Sequence, residues 1–71
     1  MTISEILKNA RLEKGFTIYR LSKITGLAES VINRIENNVI KQPGFITVAR
    51  IAEALDLSLD EIYNAVKQEK E

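Results

Sequence analysis

The sequence predicts an all-α fold built from five short helices, and two observations indicate it. Apolar side chains recur at three- and four-residue spacing along most of the chain, and residues typical of helix ends lie between these periodic stretches. The chain of 71 residues contains no cysteine and no histidine, which excludes disulfides, thiolate nucleophiles and the commonest metal ligands. Apolar packing, helix caps or a partner subunit must therefore stabilise it.

The first helix is predicted from a capping box at the amino terminus. Thr2 can accept the backbone N–H of Glu5, and the Glu5 side chain can reach back to Thr2. The helix should run to about Lys14, where Gly15 supplies the left-handed residue that ends it. Its inner face is predicted to carry Ile3, Ile6, Leu7 and Ala10.

Two further helices are predicted on either side of a tight turn. Thr17 caps the second helix, at about 18–24, Gly26 supplies the turn, and the third helix spans about 29–37 after Ala28, which is a poor cap. The apolar residues that two crossed helices would bury are Leu21, Ile24, Leu27, Ile32 and Ile35. This arrangement is typical of a helix-turn-helix, a scaffold that presents one helix to the major groove of DNA.

A loop at Val39–Gly44, which follows a predicted helix stop at Asn37 and Asn38, separates the third helix from the fourth. The fourth helix is predicted over about 45–55. Its inner face is expected to bury Phe45, Val48, Ile51, Ala52 and Leu55.

The fifth helix is predicted from Leu59 to about Lys67, beginning at a second capping box, Ser58–Glu61. We expect residues 1–67 to form one domain and residues 68–71 to fray. The sequence contains no apolar run long enough to span a membrane and no signal-peptide core, so a cytoplasmic location is expected. No motif calls for a cofactor.

The formal net charge is zero, but the charge is unevenly distributed. Residues 1–50 contain eight lysines and arginines against four acidic residues, or +4, whereas residues 51–71 contain two lysines against six acidic residues, or −4. The predicted helix-turn-helix therefore lies in the positive part of the chain, as binding to a polyanion requires.

Four motifs together resemble the Cro/repressor-like (XRE-type) family of phage and bacterial regulators: KGFT at 14–17, Gly26, VINRIEN at 31–37 and IAEALDLSLDEIY at 51–63. The resemblance covers residues 3–63. It implies a lambda-repressor-like DNA-binding domain of five helices with the helix-turn-helix at helices 2 and 3. It also implies a transcriptional regulator, not an enzyme, that binds double-stranded DNA as a weak homodimer on a two-fold operator.

The same resemblance implies roles for individual residues. Arg11 and Glu36 are expected to pair inside the fold and thus to be structural. The expected DNA-binding residues are Thr17, Ala28, Glu29, Ser30, Asn33, Arg34, Asn37 and Lys41. By its chemistry Arg34 suits guanine and Asn33 suits adenine, whereas the Glu29 carboxylate can accept from cytosine but repels phosphates.

A second interpretation is a protein-interaction module, such as an anti-regulator or a partner of another factor. Ile18 stands where the family usually has a phosphate-binding glutamine, and Lys41 is the one basic residue in the loop after helix 3. Fewer phosphate contacts weaken DNA binding. The apolar residues expected to lie off the core, and so to favour a protein partner, are Ile18, Tyr19, Val31, Val39, Ile40 and Ile46.

Overall fold

Five α-helices make up the fold in the computed structural model, which describes residues 1–68 and has no strand among them. The helices are α1 (Ile3–Glu13), α2 (Ile18–Thr25), α3 (Glu29–Glu36), α4 (Phe45–Ala54) and α5 (Leu59–Gln68). The predicted all-α five-helix fold is confirmed, and each helix ends within one residue of its predicted limit. Of the predicted frayed tail, Gln68 is the last residue of α5, and residues 69–71 lie outside the described part of the chain.

Side-chain caps begin three of the helices. The Thr2 hydroxyl accepts the Glu5 N–H at 3.2 Å, and the Thr2 N–H donates to the Glu5 carboxylate at 3.0 Å. Ser58 and Glu61 form the same reciprocal pair at 3.0 and 2.9 Å. Thr17 accepts the N–H three residues further on at 3.0 Å. These bonds satisfy amides that the first turn of a helix otherwise leaves unpaired, so short-range sequence sets the helix starts.

The chain leaves four helices through residues in the left-handed conformation. Gly15 and Gly26 have φ values of 73° and 79°, and Asn38 has a φ of 61°. These three were predicted as helix-ending residues. Asp56, with a φ of 59°, follows α4 and was not predicted. Aspartate tolerates this conformation better than most residues because its short polar side chain can bond locally.

All five helices contribute to one apolar core, whose buried members are Ile6, Leu7, Leu21, Ile32, Ile35, Val48, Ile51, Ala52, Leu55 and Ile62. Phe16 and Leu27 are half-buried against it. Two expected core residues are exposed instead, Phe45 by 67% and Ile24 by 49%. Phe45 is the first residue of α4, and a helical side chain leans toward the N-terminus, so the ring extends beyond the core.

Ile24 is exposed because α2 faces the core through a narrow stripe. On α2 only Leu21 is buried, and Ile18, Ser22 and Thr25 are half-buried around it. At about 100° per residue, Ile24 lies roughly 110° from the centre of that stripe. Leu21 lies at one edge of the stripe, so Ile24, three residues on and about 60° further round the helix, falls outside it.

The expected set of six apolar residues off the core is only partly correct. Tyr19, Val39 and Ile46 are exposed. The other three, Ile18, Val31 and Ile40, are half-buried against the core. Val31 lies at the margin of the core-facing stripe of α3, Ile18 lies within the stripe of α2, and Ile40 lies in the loop after α3. These six residues therefore do not form one exposed patch.

A buried ion pair joins α1 to the end of α3. Arg11 Nε donates to Glu36 Oε2 at 2.7 Å, and Arg11 Nη2 donates to Glu36 Oε1 at 2.9 Å. Each residue is only 8% exposed. Arg11 Nη1 donates in addition to the Phe16 carbonyl at 2.7 Å, in the segment that leads into α2. One guanidinium thus links α1, the α1–α2 connection and α3.

Ser4 provides a second link at the same place. Its buried hydroxyl donates to the Glu36 backbone carbonyl at 2.9 Å. That carbonyl belongs to the last turn of α3, where no intrahelical donor is available. The side chain and the backbone of Glu36 are therefore both held by α1.

Removal of one member of the pair should strongly destabilise the fold. Arg11→Met strands the Glu36 carboxylate and the Phe16 carbonyl, and Glu36→Gln strands the guanidinium. Each change should cost about 3–5 kcal/mol of unfolding free energy, measured by urea denaturation. The control is Lys14→Met, because the Lys14–Asp56 ion pair, at 3.4 Å, is exposed to solvent. Its loss should cost at most about 1 kcal/mol. Equal losses in all three variants would contradict the assignment.

Candidate nucleic-acid interface

The turn between α2 and α3 is held by backbone and side-chain hydrogen bonds. Gly26, left-handed at the end of α2, donates its N–H to the Ser22 carbonyl at 2.9 Å. The Ser22 hydroxyl donates to the Leu27 carbonyl at 2.6 Å, and the Leu27 N–H donates to Thr25 Oγ1 at 3.2 Å. Because these bonds close the turn on itself, α3 leaves α2 in one fixed direction.

The two sides of α3 differ sharply. Ile32, Ile35 and Glu36 are buried against the rest of the protein. The exposed side carries Ser30, Asn33, Arg34 and Asn37. At about 100° per residue, these four span an arc of roughly 100° directly opposite the buried side. They form a polar strip that we call the α3 face.

Four other predicted DNA-binding residues lie outside the α3 face. Glu29 is exposed in the first turn of α3, about 90° from the centre of the face by helical geometry. Ala28 precedes it as the N-cap. Thr17 is the exposed N-cap of α2, and Lys41 is exposed in the loop after α3. All eight predicted DNA-binding residues are therefore accessible. Within residues 1–68, no hydrogen bond joins Thr17 or Lys41 to the α3 face.

The hydrogen-bonding groups of the α3 face are largely free. Arg34 has no ion-pair partner among the described residues. Asn37 Nδ2 donates to Asn33 Oδ1 at 3.0 Å, and no other hydrogen bond between side chains occurs on this face. The side chains can therefore reach a ligand without breaking an internal ion pair.

The start of α3 has no side-chain cap. Ala28 has the extended backbone of an N-cap, with φ −66° and ψ 145°, but no oxygen to accept a first-turn amide. The N–H groups of Glu29 and Ser30 consequently point outward without an intrahelical acceptor. An oxyanion such as a DNA phosphate is a suitable partner for them.

Two basic residues on α2 were not in the predicted set. The Arg20 guanidinium lies 5.0 Å from the centre of the Phe16 ring, and the Lys23 ammonium lies 5.1 Å from the Tyr19 ring. Both cations are exposed, and ring contacts of this kind restrict their movement. The four-residue spacing from ring to cation is visible in the sequence and could have indicated these two ring contacts.

Comparison with known proteins identifies the family. The sequence model described as "Helix-turn-helix" matches residues 7–62. The chain belongs to the XRE-type helix-turn-helix family. The match begins within α1 and ends within α5, so it includes both partners of the buried ion pair and the whole α3 face.

Two curated relatives are HTH-type transcriptional regulators named SinR. The protein from Bacillus licheniformis is 30% identical over 62 residues, which cover 87% of this chain and 56% of the relative. The protein from Bacillus subtilis (strain 168) is 30% identical over 57 residues, 80% of this chain and 51% of the relative. The chain thus spans about half the length of these relatives. No solved structure matches it significantly.

The part of the chain that the structure describes contains no group of acidic residues arranged to hold a metal ion. None of its helices is both long enough and apolar enough to cross a membrane.

Supplying the missing cap should stabilise α3. In Ala28→Ser the hydroxyl can accept a first-turn N–H, so the unfolding free energy should rise by about 1 kcal/mol in thermal or urea denaturation. Gly44 is a matched control because it is the other N-cap without a side-chain bond. Gly44→Ser should gain only a few tenths of a kcal/mol, since glycine is already an acceptable cap. A gain at Gly44 with none at Ala28 would contradict the interpretation.

Proposed function

We propose that this protein is a sequence-specific DNA-binding transcriptional regulator that places α3 in the major groove. The observation that carries the proposal is the α3 face, a strip of donors and acceptors without internal ion pairs on the side of α3 opposite its buried anchor. An α-helix fits the major groove, where each base pair presents a distinct pattern of donors and acceptors. Family membership supports the same function.

The proposed contacts follow from the chemistry of the exposed groups. Arg34 suits bidentate donation to guanine, and Asn33 suits adenine. Ser30 can bond a base edge or a phosphate. Glu29 can accept from the amino group of cytosine. Its negative charge would also repel phosphates whatever the sequence, so it would lower affinity, and its discrimination would come from the base contact.

The proposed phosphate contacts lie outside this face. They are Thr17, Arg20 and Lys41, together with the open amides that follow Ala28. The Thr17 oxygen already accepts an amide, but its hydroxyl hydrogen is free to donate to a phosphate. With few cations involved, we expect modest affinity and a shallow dependence on salt concentration.

We propose further that two copies associate through α5. An exposed stripe on this helix consists of Asp60, Tyr63 and Lys67, with the Lys67 ammonium 5.9 Å from the Tyr63 ring. The stripe complements itself, because antiparallel packing about a two-fold axis near Tyr63 brings Asp60 of each copy to Lys67 of the other. Beside it lies an apolar groove of about 440 Å³, lined by Ile3, Pro43, Phe45, Val48, Leu59, Ile62, Tyr63 and Val66.

A homodimer would suit a two-fold operator, with the two α3 helices in successive major grooves about 34 Å apart. The groove residues belong to α1, α4, α5 and the loop before α4, so none of them comes from α2 or α3. Dimerisation would therefore leave the α3 face accessible. We also propose a cytoplasmic location, no cofactor and no enzymatic activity.

The protein-interaction module is the second candidate, and one observation favours it. Phe45, Ile46, Leu59 and Tyr63 are all exposed on α4 and α5, and exposed apolar side chains of this kind favour a protein partner. A different protein could cover this surface instead of a second copy. Under that alternative the α3 face would have no ligand, so DNA selection separates the two candidates.

Substitution of Arg34 should weaken DNA binding at one base pair. The measurement is selection from a random duplex pool at low salt, followed by titration of the selected duplex. Arg34→Ala should lose roughly 1–3 kcal/mol of binding and relax the preference at one position. Arg50→Ala is the control, because Arg50 is an exposed arginine on α4. Failure of the wild-type protein to enrich any sequence would refute the proposed function, and unchanged binding by Arg34→Ala would refute the placement of α3.

Charge reversal on α5 should control self-association. Asp60→Lys places two lysines opposite each other across the proposed axis, and Lys67→Asp does the same with two aspartates, so each variant should dimerise more weakly. The double variant restores both opposite-charge pairs and should recover dimerisation. Sedimentation equilibrium at several protein concentrations measures the effect. Equal behaviour of the single and double variants would rule out this packing, as would a wild-type protein that stays monomeric on its selected duplex.

A further inference from the structure

The hydrogen bond between Asn37 and Asn33 links two residues of the α3 face to each other. Asn37 Nδ2 donates to Asn33 Oδ1 at 3.0 Å, and both side chains are exposed. The two residues are also joined through the backbone, because the Asn37 N–H donates to the Asn33 carbonyl at 3.0 Å. The side-chain bond and the backbone bond therefore join the same two residues.

The residue that precedes Asn37 is fixed to α1. Glu36 is held to α1 through its side chain by Arg11 and through its carbonyl by Ser4. Asn37 follows immediately as the C-cap of α3. An exposed asparagine ordinarily samples several rotamers. The backbone that carries the Asn37 side chain directly follows the residue that α1 holds in place.

The bond has a chemical consequence for what Asn33 presents to a ligand. A side-chain amide has an oxygen and a nitrogen that exchange places when the group turns over. Donation from Asn37 favours the orientation in which Oδ1 faces Asn37 and Nδ2 is directed elsewhere. Oδ1 keeps one lone pair, so Asn33 can still accept from the adenine amino group while Nδ2 donates to adenine N7.

We propose that Asn37 is a positioning residue that sets the orientation of the Asn33 amide and thereby determines which base is read at one position of the operator. This inference rests on the proposed function. Asn37 acts through Asn33 and needs no base contact of its own. Fixing the amide before binding reduces the entropy lost on contact with the base.

The test is selection from a random duplex pool with Asn33→Ala, Asn37→Ala and the double variant. Asn33→Ala should abolish the preference at one base pair. Asn37→Ala should reduce the preference at that same pair about three- to tenfold, as expected for one lost hydrogen bond. The double variant should match Asn33→Ala, because Asn37 has nothing left to position. Asn64→Ala is the control, since Asn64 is exposed on α5 and should leave every position unchanged.

A near-isosteric change gives a sharper result. In Asn37→Asp the carboxylate can only accept, so it should draw Asn33 Nδ2 toward itself and turn Oδ1 outward. The base preferred at that pair should then shift from adenine, which offers both an acceptor and a donor, toward cytosine, which offers a donor. The added charge lowers overall affinity, so the readout is the base preference and not the dissociation constant.

The hydrogen bond can also be tested without DNA. In the free protein, ¹⁵N relaxation of the Asn33 side-chain amide should show greater mobility in Asn37→Ala than in the wild type. Unchanged mobility of the Asn33 amide in Asn37→Ala would overturn the positioning role and leave the proposed function intact. So would an unchanged base preference in Asn37→Ala at a pair where Asn33→Ala loses its preference. A loss of preference in Asn37→Ala at a pair that Asn33→Ala does not affect would overturn it too. Failure of the wild-type protein to select any sequence would instead refute the proposed function.

Discussion

The buried pair between Arg11 and Glu36 is the interaction on which the rest of the arrangement depends. Its guanidinium uses three nitrogens at once, two on the Glu36 carboxylate and one on the Phe16 carbonyl. Replacing such a pair by apolar residues of similar volume often costs little stability, whereas breaking it is expensive because the remaining charge stays buried. Its value here is positional, because it allows one orientation of α3 relative to α1 and disfavours the alternatives.

That orientation matters because α3 is too short to be stable as an isolated helix. A helix of eight residues is far shorter than the roughly 12–15 residues that are marginally stable alone in water. Its first turn has no side-chain cap at Ala28, so stabilisation has to come from packing along its length and from its C-terminal end. Ile32 and Ile35 provide the packing, and Glu36 fixes the end. The exposed side is thereby free to carry polar groups that contribute nothing to folding.

The molecule separates two kinds of surface. The α3 face is polar and lies in the part of the sequence with a charge of +4, whereas α5, with its exposed Leu59 and Tyr63, lies in the part with a charge of −4. A net charge of zero is therefore compatible with a DNA-binding role, because the positive half carries the proposed interface. The opposite charges at Asp60 and Lys67 give α5 a self-complementary pattern that bulk composition does not reveal.

The local sequence determined where the helices begin and end, because caps and left-handed residues act within three or four residues along the chain. The capping boxes at Thr2 and Ser58 and the turn at Gly26 could therefore be predicted without the tertiary structure. The local sequence also indicated which residues of α3 are exposed, since an eight-residue helix with a clear apolar stripe has only one polar side. The tertiary structure decided what lies at the margins of each stripe. The stripe that α2 turns toward the core leaves Ile24 in solvent, and the place of Phe45 as the first residue of α4 leaves its ring beyond the core. Both outcomes depend on where the neighbouring helices lie, which the local sequence does not specify.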